Sequence, residues 1–246
     1  MTNMKLLSES NPKTLKGESE GYMTFIMHLA PGSLSGFNVC PGASAGCLFS
    51  CLNTAGRGHM KMIQDARIRR TRLFFEDRTT FMAQLVDEVS KAIRKAERKG
   101  LIPVFRLNGT SDIRWETVPV SVVGGQDYPN IFEAFPNTQF YDYTKLANRR
   151  NIPANYHLTF SRSESNDHLL SQAIGNGMNV AVVFNVKKGQ PLPMSDRSRF
   201  SGGFGPLPVV DGDETDLRFL DRDGSIVGLR AKGKATKDTS GFVVHV

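Results

Sequence analysis

Seven short apolar runs, each ending in polar or ionisable residues, limit what this chain of 246 residues can fold into. They are MTFIMHLA (23–30), LIPVFRL (101–107), QFYDY (139–143), NYHLTFS (155–161), MNVAVVFNV (178–186), LPVVD (207–211) and SIVGLRA (225–231). Runs this short and this continuously apolar predict strands covered on both faces. Several of the segments between them read as helices, while 187–206 reads as a polar, Gly/Pro-rich excursion. Residues 57–75 and 79–99 predict two. In the second, Phe81, Met82, Leu85, Val86, Val89, Ala92, Ile93 and Ala96 recur at helical spacing before a stop at Gly100. Shorter helical stretches are expected at 130–135 and in DHLLSQAIGNG. Strand alternating with helix implies a parallel sheet, so the class is α/β. Six or seven such units suit a partial (β/α)6, TIM-like barrel, with a doubly wound open sheet as the alternative. Residues 1–21 form a polar N-terminal segment, and 22–246 read as a single barrel-like domain.

Composition narrows the setting. No run approaches eighteen apolar residues, which excludes a membrane-spanning helix, and the polar start lacks the apolar stretch of a signal peptide. A cytoplasmic protein is expected. The net charge of +7 is concentrated in two places. Arg57, Lys61, Arg67, Arg69, Arg70 and Arg72 face one acid, Asp65, and Lys91, Arg94, Lys95, Arg98 and Lys99 close the next helix. These basic helices, 57–72 and 91–99, are either solvated faces or an electrostatic footprint for nucleic acid.

The polar tails of the strands are the second signal. They carry Arg106, Asn108 and Asp112, then Asp142, Thr144 and Lys145, then Ser161 and Glu164, then Asn185. The last two strands supply Asp211, Asp213, Asp216 and Arg218, and Arg230 and Lys232. At the C-terminal ends of parallel strands such groups converge on one rim, where barrels keep their active sites. Asp142, Lys145 and Asp211 are the candidate catalytic groups on a rim facing a small molecule or nucleotide. Asp142 with Lys145 also fits a plain salt bridge, and DGDETD (211–216) fits either a surface acidic turn or an oxygen site for a hard cation. His157 reads as a sheet histidine, and Trp115 as a packing residue or a stacking partner for a base. No Walker loop, G-x-S-x-G or H-E-x-x-H occurs.

All three cysteines of the chain, Cys40, Cys47 and Cys51, fall in CPGASAGCLFSC, a C-x6-C-x3-C spacing. An odd number of thiols in a reducing compartment argues against a disulfide framework. Cys47 and Cys51 share a face if a helical turn begins at Gly46, and Gly42 and Gly46 let the backbone fold tightly. Three readings follow. A [4Fe–4S] cluster held by three thiolates leaves one iron open. A zinc ion needs a fourth ligand, with His59 or His28 nearest in sequence. The third is small hydrophobes packed in a core. Three cysteines without a fourth favour the site-differentiated cluster.

A cysteine loop after the first long strand of a β/α chain resembles the radical S-adenosylmethionine (SAM) superfamily, whose usual spacing is C-x3-C-x2-C. The resemblance implies a [4Fe–4S] cluster on Cys40, Cys47 and Cys51, with SAM on its open iron. N-G-T-S-D (108–112) stands where that superfamily carries a Gly-Gly-Glu motif. Asn108 and Asp112 would then meet the SAM ammonium. Ser161, with Lys145, would take its carboxylate, and Glu164 and Asp213 would complete the pocket. The chain also resembles the phage gene product 88 family in GFNVCPGASAGCLFSCLNTAGRG, FYDYTK, LTFSRSES and DGDETDLRFLD. That resemblance implies a phage setting, hence the host cytoplasm, and supplies no chemistry. Two other functions fit the same residues: a zinc-dependent barrel enzyme modifying or exchanging a nucleobase, and a nucleic-acid-binding protein whose metal staples the loop.

Overall fold

The seven apolar runs all become strands in the computed structural model, which describes residues 4–9, 16–121, 125–193 and 199–246. In chain order these are β2 (Tyr22–Met27), β3 (Ile102–Arg106), β4 (Gln139–Thr144), β5 (Tyr156–Ser161), β6 (Asn179–Phe184), β7 (Val209–Asp211) and β8 (Ile226–Arg230). Two more, β1 (Leu7–Ser8) and β9 (Val243–Val244), have only two residues each. The sheet runs β1-β2-β3-β4-β5-β6-β8-β7, with β9 also on β6. β1 lies antiparallel to β2, whereas β2–β3, β3–β4, β5–β6, β6–β8, β6–β9 and β7–β8 are parallel.

The nine-stranded, mostly parallel sheet is open, so the expected α/β class holds and the strands do not close into a barrel. The reason is at the edges. β1 occupies the free side of β2, and the other edge ends in β7, three residues long.

The helices are α1 (Ala45–Phe49), α2 (Lys61–Glu76), α3 (Arg78–Arg98), α4 (Ile131–Ala134) and α5 (Leu170–Gly175). α3 follows its sequence pattern closely. Phe81, Met82, Leu85, Val89, Ala92 and Ala96 are buried, Asp77 caps the first turn by accepting from the Thr80 N–H at 3.1 Å, and Gly100 leaves the helix at φ 68°. α2 begins later than expected because 56–59 form a 3-10 turn. Among the described residues, the crossovers β4–β5 and β6–β7 contain no helix. No helix among those residues is long and apolar enough to cross a membrane.

The chain divides into two compact units. The first comprises Met1–Pro41, Met60–Asp142 and Asn151–His157; the second comprises Gly42–His59, Tyr143–Arg150 and Leu158–Val246. The first has an aromatic core, in which Phe25, Phe105 and Phe140 pack along successive strands at 5.3 Å spacings. Phe74, Phe81 and Trp115 pack edge to face or stacked beside them. The second buries Phe160, Val180, Val182, Ile226 and Val227, with Phe184 against Phe200.

Candidate functional site

Within the first unit, the predicted rim residues form a locked turn. Asn108 sits just past β3, and its carbonyl oxygen accepts from Ser111 Oγ (2.8 Å), the Ile113 N–H (3.0 Å) and Trp115 Nε1 (3.0 Å). Its amide donates to the Ile113 carbonyl at 2.9 Å. Thr110 Oγ1 donates to the Leu29 carbonyl, and the Asp112 N–H to the Val39 carbonyl. A Cβ on Gly109 would lie 2.7 Å from both Ile26 and the Met27 carbonyl, so the turn closes directly on β2. Cys40 joins this turn, its Sγ 3.8 Å from the Thr110 carbonyl.

Asp142, expected as a rim acid, has no exposed surface. Its two oxygens accept from the Asn108 N–H (2.7 Å) and the Tyr156 hydroxyl (3.0 Å), bracing β4 against its neighbours. Trp115 is fully buried, which settles it as a packing residue.

The second unit holds the rest of the cysteine loop. Ser44 caps α1: its Oγ accepts from the Cys47 N–H at 3.1 Å and donates to Glu164 Oε2 at 2.8 Å. The Gly46 N–H donates to Glu164 Oε1 at 2.9 Å. Glu164, 118 residues further along the chain, thus clamps the start of the helix that carries Cys47. Both loop glycines are required by close approach. A Cβ on Gly42 would lie 2.8 Å from the Lys145 Cβ, and one on Gly46 would strike the Ser240 Oγ and lie 2.8 Å from the Glu164 carboxyl. Cys47 packs against Ala235, Phe242 and Val243, and the Cys51 Sγ accepts from the Asn53 N–H at 3.4 Å.

Lys145 and Ser161 meet at the ends of β4 and β5. The Lys145 ammonium is buried and donates to Ser161 Oγ (2.8 Å), the Ser161 carbonyl (2.9 Å) and the Arg162 carbonyl (3.1 Å), over the Phe242 ring. Three donors meeting three acceptors make a structural tie.

Asp211 ends the edge strand β7, and Asp213 follows in the turn after it. Arg230 reaches both oxygens of Asp211 at 2.8 Å and Asp213 at 3.4 Å, while Lys232 reaches Asp213 at 2.5 Å. Partial burial raises the Asp211 carboxyl, but the Arg230 hydrogen bonds and the Asp213 N–H outweigh it, and the net shift is downward. Their partners are Arg230 and Lys232, so the acidic turn is a neutralised network. Asp216 and Arg218 are buried behind it. In the first unit, three of the six basic residues of 57–72 serve the fold. Arg67 is buried, Arg70 donates to the Lys5 and His28 carbonyls, and Arg72 donates to the Ser35 carbonyl. His59, a candidate fourth ligand, turns its Nδ1 onto the Gly56 carbonyl of its own turn.

Sequence reasoning missed two groups. Arg162 forks onto Asp167 (2.7 and 3.0 Å) and reaches the Gly241 and Phe242 carbonyls. Buried Asp238 accepts from the Val243 N–H and Ser240 Oγ, anchoring β9. Both partnerships span loops, so no local pattern announces them; the only signal was an arginine and an aspartate inside otherwise small-residue turns.

As a metal site, the loop offers three half-buried thiols. Between Cys47 and Cys51, the Ser50 hydroxyl is buried without a hydrogen-bond partner among the described residues. Soft thiolates with an uncommitted donor beside them are a donor set that fits an iron–sulfur or zinc group. Among the described residues no three of His, Cys, Asp and Glu already stand together as ligands.

Comparison with curated proteins gives no match, nor does comparison with solved structures. The model of the family described as Gene product 88 matches residues 3–246, essentially the whole chain, and this protein therefore belongs to that phage gene-product family.

Proposed function

We propose that the protein is an iron–sulfur enzyme of the phage, with Cys40, Cys47 and Cys51 as the ligands of one cluster. The observation that carries this reading is the construction of the cysteine loop. Every thiol of the chain lies in twelve residues, and part of that loop is fastened by Glu164 and by glycines that admit no side chain. A loop kept at that cost in backbone freedom is a preorganised ligand frame. When bound, a three-thiolate cluster supplies an electron and one open coordination position. The chain's own contribution is to orient the ligands. Glu164 and Ser44 fix the backbone at Cys47, Thr110 lies against Cys40, and the Ser50 hydroxyl is available to a thiolate. Asn108, Glu164 and Asp213 are engaged within the protein, so their part in holding SAM is indirect. In this reading the strands are those of a partial barrel opened at β1.

Anaerobic purification followed by iron, sulfide and zinc analysis tests the proposal. The expected result is brown protein with about four irons, the content of a [4Fe–4S] cluster. Cys40→Ala, Cys47→Ala and Cys51→Ala should each lose it. Colourless protein containing zinc would overturn the cluster, and full metal retention in any single variant would overturn the ligand set. Titration calorimetry with SAM on the loaded protein examines the cofactor that the resemblance implies.

A further inference from the structure

The outward side of the cysteine loop carries a feature that metal binding does not use. Within the second unit, α1 and the following 3-10 turn (Leu52–Thr54) direct Gly46, Ser50 and Asn53 inward, while Leu48, Phe49 and Leu52 are 47%, 47% and 50% exposed. Three large apolar side chains within five residues of surface are unusual on a soluble face. The 3-10 turn Gly233–Lys237 packs alongside. A Cβ on Gly233 would lie 3.3 Å from the Ala55 Cβ, and Ala235 faces Cys47.

Side chains three apart on a 3-10 helix eclipse one another, so Lys234 and Lys237 project from the same side while Ala235 points into the core. Arg57 is exposed in the next turn of the loop. Among the described residues, Arg57, Lys234 and Lys237 have no acidic partner; the nearby Lys232 is taken by Asp213. The patch is therefore an apolar, aromatic-bearing surface bordered by three uncommitted cations.

We propose that this surface binds single-stranded nucleic acid, with Phe49 and its leucine neighbours under the bases and Arg57, Lys234 and Lys237 on the phosphates. Charge complementarity selects a polyanion and disfavours a second copy of this chain, whose patch carries the same sign. An aromatic beside cations is the composition by which single strands are held without sequence preference. Arg57 apart, the site differs from the basic helices 57–72 and 91–99 singled out by charge counting, and it does not depend on the metal.

Fluorescence anisotropy with a labelled dT20 strand, repeated over a salt series, tests it. Three phosphate contacts on a single strand predict a log–log salt slope of about −2. Lys234→Gln with Lys237→Gln should weaken binding at least about tenfold and reduce that slope to below about −1 in magnitude. Phe49→Ala should weaken binding about fivefold or more with the slope unchanged, because stacking releases no counterions. Lys91→Gln with Arg94→Gln, on the sequence-favoured helix, should leave both unaltered. All substituted residues are exposed, and far-UV circular dichroism checks that each variant keeps its fold. Absence of dT20 binding, variants that bind like the parent, duplex bound equally with no effect of Phe49, or a polyglutamate peptide bound more tightly than dT20 would each overturn the assignment.

Discussion

Gly46 shows how narrowly single positions are determined in the cysteine loop. Its N–H is one of two donors to Glu164, and the space where a side chain would begin is filled by Ser240 and the Glu164 carboxyl. Gly46→Ala is expected to cost about 1–3 kcal/mol by overpacking. Gly175, at the end of α5, is the control. A Cβ there meets only the Phe204 ring edge at 3.8 Å, and Gly175→Ala should be neutral or stabilising by up to about 1 kcal/mol. Chemical denaturation of the two variants against the parent gives both signs. Sequence alone marked Gly46 as a place where the backbone folds tightly between cysteines. That it is a contact point was illegible, because both of its neighbours come from more than a hundred residues away. The same holds for Asn108 and Asp142: their polar character was readable, but whether they faced a ligand or each other depended on register.

At the scale of elements, the second unit turns on how β6 is paired. β5 covers one part of it, Asn179 to Ala181, and β9 covers Val183 and Phe184. β8 spans the other side from Val180 to Phe184, so β5 and β9 follow one another along the same edge. Arg162 leaves β5 at this junction and ties it to the carbonyls of Gly241 and Phe242. Phe242 then lies beneath the Lys145 ammonium, 5.0 Å from the ring centre. Phe242→Ala should cost about 3 kcal/mol or more through lost packing. Phe242→Leu should recover most of that and leave a remainder of about 1 kcal/mol for the cation over the ring. Urea midpoints read both. The seven longer strands, of three to six residues, were visible in the sequence because continuous apolar runs have few other solutions. β1 and β9 were not, since two residues carry no period. The path from β4 to β5 and from β6 to β7 was illegible for the converse reason: long polar stretches carry no period.

Acid should be felt by the whole molecule. In the first unit, burial raises Glu9 while Lys5 and Lys95 pull it below its usual value, and the Thr80 hydroxyl and N–H lower Asp77. In the second, burial raises Asp238, yet the Val243 N–H and the Ser240 hydroxyl leave it net lowered, as Arg230 does for Asp211. A carboxyl depressed on folding stabilises the native state above its unfolded value of about 3.9–4.3, and that contribution is lost as pH falls through the lower folded value. Stability should therefore be flat near neutrality and decline below about pH 4 in both units. Asp238→Asn should lower it at neutral pH and make its remaining acid dependence shallower, as urea midpoints across pH 3–7 would record.

The first strand of the sheet has a meaning beyond the fold it begins. β2 is parallel-paired on one side only, and its other side would present a row of unsatisfied amides and carbonyls. β1 covers the end of that side, with Leu7 opposite Met27 and Ser8 opposite Ile26. Leu6 and Leu7 are buried, their amides are taken by Glu88, and the Gln84 side chain holds the Met4 carbonyl. The antiparallel direction and two-residue length give a visiting strand nothing to extend. That cover is a stopper against chain-to-chain growth, and it is fixed by one helix glutamate and not by a longer strand that would itself offer a new edge.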